Sequence, residues 1–515
     1  MTLTHPPRPD TCWTDLLRRW QSQTDLRDLE ELLIWDQSTQ LPQAAGADRG
    51  RLLAQVAVWR QDQLTDATYG RALDDEGAHR DRSPAQQRLL ALARRERDRA
   101  ERLPRALVQR TAELNAEGYG TWVQARATSD FQRVAPVLER LLDTRLETAA
   151  HFPEAGTPMD HFIDQADEGF TRAQVSALFA ELQPALQAML RAAPTGEPGP
   201  DPLAGPFDVA AQRRLAQQLM TDLGFDPDRG AQAQAPHPFM VRVGQRDIRI
   251  ATRFDPDHLA PGLFSTLHET GHALYEQGVG EDLLGTPAGF GASAAVHESQ
   301  ARLWENLVGR SLPFWSAYLP AVQAAFAPQL GGVDAADLHR AVNRVSPGLI
   351  RVQADELTYN LHIIVRYQLE CALLDGALAV RDLPDAWNAA YETNLGLTPP
   401  DHARGVLQDV HWYAGQLGGA FHSYALGNLM AAQLFRAAQA ALPDLHGDLE
   451  RRSFTALHGW LARHVYRHGG LFRPAELIEQ VTGSPLGSAD FITALTRKVS
   501  PLTSPTASHF LQETP

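Results

Sequence analysis

Lysine is all but absent from this 515-residue chain: it occurs once, at Lys498, and arginine supplies the rest of the 47 basic residues. An arginine cluster is therefore a weak sign of function here. Cysteine is almost as scarce. Cys12 and Cys371 stand far apart, which excludes a disulfide framework. No apolar run approaches the roughly 20 residues that span a bilayer, so no membrane segment is expected. The opening Met1-Thr2-Leu3-Thr4-His5-Pro6-Pro7-Arg8-Pro9 lacks the apolar core of a secretion signal, and a cytoplasmic protein is the expectation. Positive charge is outweighed as well: the net charge of −15 argues against nucleic acid as a partner.

What the chain does have is helical periodicity. A hydrophobic fraction of 43% suits a globular protein. Leu16, Leu17, Trp20, Leu26, Leu29, Leu32 and Leu33 recur at three- and four-residue spacing and predict a helix over 13–35, stopped by Pro42. The same reasoning predicts a helix over 48–73, a long Arg/Glu-laced helical stretch over 84–117 and another over 122–151. Residues 164–171 read as a turn, with Thr171 as N-cap of a helix through Leu190. The Pro- and Gly-rich stretch 193–207 reads as a surface connection within one domain, followed by a helix over 208–223. Only Met240 to Ile250 alternates with period two, around Gly244-Gln245, and predicts a β-hairpin. Further helices are expected over 300–309, 334–343, 353–373, 384–392, 402–417, 426–441, 448–467 and 474–482. The fold class is mainly α, a single large helical domain with one small β-hairpin or sheet.

Directly after that hairpin comes Leu267-His268-Glu269-Thr270-Gly271-His272, an HExxH core. Four-residue spacing puts His268 and His272 on one helix face, where each can give a nitrogen to one Zn²⁺. Pro261 fits the first turn of that helix and Gly278 the position past its end. Gly271 is unfavourable mid-helix by roughly 1 kcal/mol, which predicts a close neighbour there. A third ligand leaves the fourth position for water. Glu298, in Val296-His297-Glu298-Ser299-Gln300, is the leading candidate, and His297 is the alternative. Zinc lowers the pKa of its bound water to about 7. Glu269, one residue from the first ligand, is suited to take the proton and pass it to a leaving amine. Amide hydrolysis is the natural reaction class.

Beyond HExxH, the chain carries Trp35-Asp36-Gln37, His237-Pro238-Phe239, Asp247-Ile248-Arg249 and His297-Glu298-Ser299-Gln300. It also carries Ile350-Arg351-Val352-Gln353-Ala354-Asp355 and Gly405-Val406-Leu407-Gln408-Asp409-Val410-His411-Trp412. Across essentially its whole length it resembles the M32 family of metallocarboxypeptidases. The resemblance implies a single domain over 1–515 with a deep active-site groove, and a homodimer. It implies one Zn²⁺ per subunit, with Co²⁺ as a substitute, and release of single residues from peptides with a free C-terminus. By position His268, His272 and Glu298 take the ligand roles, Glu269 that of base and Arg351 the substrate carboxylate. His411 and Tyr424 are candidates for stabilising the oxyanion, and His237 for binding substrate. Asp355, Gln408 and Asp409 orient neighbours or serve the fold. Residues 1–80 are positioned to form a helical lid.

The chain departs from the family pattern in three places. Ala251 stands where DxRxT has Thr, Ala301 where HESQSR has its second Ser, and Ala420-Phe421-His422-Ser423 precedes Tyr424 where Tyr-Phe-Pro-Thr is usual. Two other readings share the zinc motif: an oligopeptidase or dipeptidyl carboxypeptidase, and a non-catalytic peptide-binding protein, against which the intact Glu269 speaks.

Overall fold

A computed structural model describes residues 11–79, 81–193, 200–244 and 246–503. Helices dominate, and polar side chains decide where they begin and end. The first, α1 (Thr11–Thr39), buries Leu16 and Trp20, a turn apart. The stretch predicted as one helix over 48–73 is two, α2 (Gly46–Leu64) and α3 (Ala67–Gly77). Asp66 breaks it by accepting the Thr68 and Tyr69 amides, each at 2.9 Å, which starts a fresh N-terminus. A Ser83–Gln86 capping box opens α4 (Pro84–Arg102), and Pro104 separates it from α5 (Arg105–Thr128). Ser129 leaves α5 at φ 54° and Asp130 caps α6 (Phe131–Ala150). Helix α7 (Pro158–Ala166) runs into the predicted turn, leaving 167–171 to make it. Thr171 caps α8 (Arg172–Ala192) as expected, with Gln174 closing a capping box. Residues 194–199 of the predicted loop lie outside the described residues. Helix α9 (Val209–Leu223) follows.

The expected hairpin is present as β2 (Phe239–Gly244) and β3 (Asp247–Thr252), though Gln245 of its turn lies outside the described residues. A third strand, β1 (Gly230–Gln234), pairs parallel with β3, so the sheet order is β1-β3-β2. Gly-Ala-Gln-Ala-Gln carries no β-branched or aromatic residue, which is why it escaped the sequence reading. Strand β3 separates two environments with period two. Ile248 and Ile250 join the main core, while Ala251 packs with Val241 under Trp35 of α1.

One continuous apolar core runs from Leu114 to Val499. A second, smaller one is built by α1 to α4 from Leu16, Trp20, Leu64, Tyr69, Leu73, Leu89 and Leu90, and closed by Val279, Leu283 and Ala288. The helix predicted over 402–417 does not form. That stretch is a series of turns with a 3-10 segment at His411–Ala414, which Gly415 ends in left-handed backbone at φ 82°. The 448–467 stretch splits into Leu445–Glu450 and Thr455–His464 around Arg452 at φ 60°. Helices Leu312–Ala325 and Ala489–Thr503 were not anticipated. No helix among the described residues is long and apolar enough to cross a membrane.

Candidate active site and metal centre

Helix α10 (Leu259–Gln277) carries the HExxH residues and α11 (Ala294–Arg302) carries Glu298. His258 opens α10 by accepting the Ala260 amide at 3.2 Å, and Gly278 ends it. Ser293 opens α11. The mid-helix Gly271 is explained by contact between the two helices. A Cβ there would lie 2.6 Å from both the Ala301 Cα and the Gln300 carbonyl oxygen, so the backbones meet where no side chain fits. From the other side the helix Phe421–Ala441 presses Gly427 against Glu298, where a Cβ would sit 2.5 Å from its Cγ. Helix α11 is thus held between two neighbouring backbones.

The result is convergence. His268 Nε2 and His272 Nε2 each lie 3.8 Å from the same atom, Glu298 Oε2. One ligand atom from each of the three residues falls within a 4.8 Å cluster. Ligands bound to a tetrahedral Zn²⁺ at about 2.0–2.2 Å stand roughly 3.3–3.6 Å apart, so the two 3.8 Å separations need to close by only a few tenths of an ångström around such an ion. The remaining oxygen, Glu298 Oε1, accepts from Arg302 Nε at 2.6 Å. Both histidines turn Nδ1 away from the cluster, His268 to Glu305 Oε2 at 2.9 Å and His272 to His297 Nδ1 at 2.7 Å. His297, the alternative ligand, thus stands behind His272 and not among the converging atoms. Burial opposes charge on both ligand histidines. It holds His272 well below its ordinary value, while Glu298 and Glu305 outweigh it at His268 and raise that group. Burial pushes the Glu269 carboxyl up to about 7.

Beyond Arg302 the helix widens into a π-turn, Leu303–Val308, within the 300–309 stretch predicted as helical. Arg302 Nη1 donates to Glu305 Oε2 at 3.0 Å. Burial alone would raise Glu305, but Arg302, His268 and Arg310 hold it far below the carboxylate range. The single lysine serves this turn: Lys498 Nζ donates to the Asn306 carbonyl at 2.7 Å and pairs with Glu356 at 2.6 Å.

On the other side of the cluster, Tyr359 lies between Arg302, whose Cζ is 4.4 Å from its ring, and Arg351. Arg351 is buried and largely committed. Its Nε and Nη2 donate to Asp409 at 3.1 and 2.7 Å, and its Nη1 to the Tyr359 hydroxyl at 3.4 Å. Arg366 Nε donates to Asp409 Oδ2 at 2.6 Å, and Gln408 Oε1 accepts the Arg351 amide at 2.9 Å. His411 Nε2 and the Tyr424 hydroxyl meet at 3.3 Å, with the Tyr424 ring 5.6 Å from the Arg351 Cζ. Burial and the Arg351 and Arg366 guanidinium groups hold His411 down at about 4, so it is neutral at pH 7. Asp355 caps the helix Glu356–Leu374. His237 is exposed on the β1–β2 loop, and among the described residues no hydrogen bond joins it to the cluster.

The three departures from the family pattern sit in the interior. Ala251 is fully buried in β3, and Ala301 lies at the α10–α11 contact. His422 is buried with Nε2 3.2 Å from Asp167 Oδ2. Asp167 also accepts from Ser423 Oγ at 2.6 Å and from the Ala295 amide at 2.7 Å, which ties this segment to the start of α11. Arg302, Glu305, Tyr359 and Asp167 were not singled out in the sequence.

The family model described as carboxypeptidase Taq (M32) metallopeptidase matches residues 15–499. "Thermostable carboxypeptidase 1" of Thermus thermophilus is 39% identical over 508 residues, which covers 96% of this chain and 99% of that one. "Carboxypeptidase 1" of Bacillus subtilis is 34% identical over 481 residues, 92% of this chain and 94% of the relative. Among solved structures, the M32 carboxypeptidase from Deinococcus radiodurans R1 superposes with a TM-score of 0.94 at 47% identity, over 96% of this chain and all of that one. The match runs almost end to end and includes the histidine pair and the carboxylate that meet in the interior. The chain belongs to the M32 family and is a metallocarboxypeptidase.

Proposed function

We propose that the enzyme removes single residues from peptides with a free C-terminus, using one Zn²⁺ per subunit held by His268 Nε2, His272 Nε2 and Glu298 Oε2. The observation that carries this reading is the meeting of both imidazole nitrogens on one carboxylate oxygen, 3.8 Å from each. Zinc bound there supplies a water of lowered pKa at the fourth position and polarises the scissile carbonyl. Glu269 takes the proton from that water and hands it to the leaving amine. Burial pushes its carboxyl up to about 7, and it stands one residue from the ligand His268. His411 and Tyr424, paired at 3.3 Å, donate to the carbonyl oxygen as charge develops on it. Arg351 receives the substrate carboxylate, and His237 contacts the peptide further out.

The finer attributes are Co²⁺ as a substitute metal and a homodimer, which follow from the family resemblance, and a cytoplasmic location, which follows from the scarcity of cysteine. With only two cysteines, Cys12 and Cys371, far apart in the sequence, no disulfide framework is implied, in keeping with a reducing compartment. Residues 1–80 act as a lid within a single 1–515 domain. The small core that α1 to α4 share, closed by Val279, Leu283 and Ala288, supports that reading. Glu269→Gln tests the mechanism. The variant is expected to keep one zinc per chain while peptide release falls by about 10²–10⁴-fold. Unchanged release would contradict the role of Glu269.

A further inference from the structure

The two metal histidines differ in what stands behind them. His268 Nδ1 faces a carboxylate, Glu305 Oε2 at 2.9 Å, which accepts whatever hydrogen the ring carries. His272 Nδ1 faces a second imidazole nitrogen, His297 Nδ1 at 2.7 Å. Two ring nitrogens at that distance share one hydrogen, so one must donate and the other accept. The far end of His297 decides which. Its Nε2 lies 2.9 Å from Glu276 Oε1, an oxygen that also accepts the Gly291 amide at 2.9 Å. The other carboxylate oxygen of Glu276 is 3.6 Å from Arg242, which is itself held by the Gly289 carbonyl and stacked 3.9 Å from the Phe290 ring. An ionised, arginine-paired Glu276 only accepts. A neutral His297 therefore carries its hydrogen on Nε2, and its Nδ1 is left as an acceptor. His272 must then carry its own hydrogen on Nδ1, which leaves the Nε2 lone pair free and directed at the cluster.

The loop above locks this arrangement in place. A Cβ at Gly291 would lie 2.6 Å from His297 Cδ2 and 3.2 Å from Glu276 Oε1, so bare backbone closes over the pair. Tyr275, its ring centroid 5.2 Å from that of His297, accepts the Ala292 amide N–H on its hydroxyl oxygen at 2.9 Å. The imidazole has little room to rotate.

We propose that His297 and Glu276 are positioning residues for the metal. Through the chain His272 to His297 to Glu276 they fix the tautomer and ring orientation in which His272 offers Nε2. This rests on the ligand set proposed above. Outer partners of this kind commonly contribute 10–100-fold to metal affinity. The test is zinc affinity by competition with a chromophoric chelator, on the full chain and on His297→Leu, His297→Asn and His272→Ala. The visible spectrum of the Co²⁺-loaded forms and the thermal midpoint of the metal-free forms are measured beside it. Leucine fills the space with no acceptor, whereas the asparagine side-chain oxygen lies near the original Nδ1. His297→Leu is expected to bind zinc about 10–100-fold more weakly with an altered cobalt spectrum. His297→Asn should recover most of that loss, at a similar metal-free midpoint. Zinc binding by His297→Leu equal to that of the unaltered chain would overturn the proposal, as would His297→Asn as weak as His297→Leu. If His272→Ala kept full zinc affinity, the ligand set would fall, and this inference with it; loss in His272→Ala but not in His297→Leu would remove this inference alone.

Discussion

Arg351 illustrates how much of a residue's role depends on its neighbours. Two of its nitrogens are engaged by Asp409 and a third faces Tyr359, so the guanidinium is locked before any substrate arrives. Such a residue recognises a carboxylate from one fixed direction, and a lysine cannot hold Asp409 and a substrate at once. Arg351→Lys is expected to lower kcat/KM on free-acid peptides by about 10²-fold, the equivalent of about 2.7 kcal/mol in transition-state binding. Steady-state kinetics check this, and a variant within twofold of the unaltered enzyme would remove Arg351 from substrate binding. The sequence was most legible at this scale where function is local. His268, Glu269 and His272 are fixed by helical spacing alone. Arg302 and Glu305 follow Glu298 by four and seven residues and so share its face, but spacing could not say that this face meets α10. Asp409 was legible only as a residue that orients a neighbour, and Tyr359 not at all, because their partner Arg351 is brought to them by the fold.

Between elements, the α10–α11 contact sets the metal geometry. Gly271→Ala would put a methyl group 2.6 Å from the backbone of Ala301 and force the helices apart. The expected cost is about 1–3 kcal/mol of stability, together with weaker zinc binding, since the separation of these helices fixes the distance from His272 to Glu298. Thermal unfolding with and without metal measures both. A second junction is electrostatic. Glu168, on the turn before α8, accepts from Arg88 of α4 at 2.9 and 2.8 Å and from Arg473 at 3.1 Å. Burial alone would raise this carboxyl, but Arg88, Arg95 and Arg473 bring it down from 4.5 to about 2. A depressed acid stabilises the folded state above its unfolded pKa and loses that contribution as pH falls through the folded one. Glu168→Gln should therefore lower stability by about 1 kcal/mol at pH 7, a value discounted for partial exposure. The difference should shrink between pH 4.5 and 2. A difference independent of pH in acid unfolding experiments would contradict the assignment. Element boundaries were legible where caps are written in the sequence, as at Thr171. They were lost where the break depends on a backbone state, as at Gly415 and Arg452, or where a strand such as β1 takes its stability from a neighbour and not from its own residues.

For the whole molecule, the mainly helical class and the family were legible from periodicity and from motifs spread over the full length. The division into two cores was not, because the residues of the smaller one come from α1 to α4 and from the loop after α10, nearly 200 residues later. That division gives the N-terminal helices an interior of their own beside the metal-bearing body. The central claim is that a metal held by His268, His272 and Glu298 cuts peptides from their free C-terminal end. The most direct measurement is mass spectrometry of a peptide as free acid and as C-terminal amide, before and after chelation and zinc return. Stepwise loss of one residue at a time from the free acid only, abolished by chelator and restored by zinc, is the predicted result. Internal fragments, release from the amide at the same rate, or activity that survives complete metal removal would contradict it.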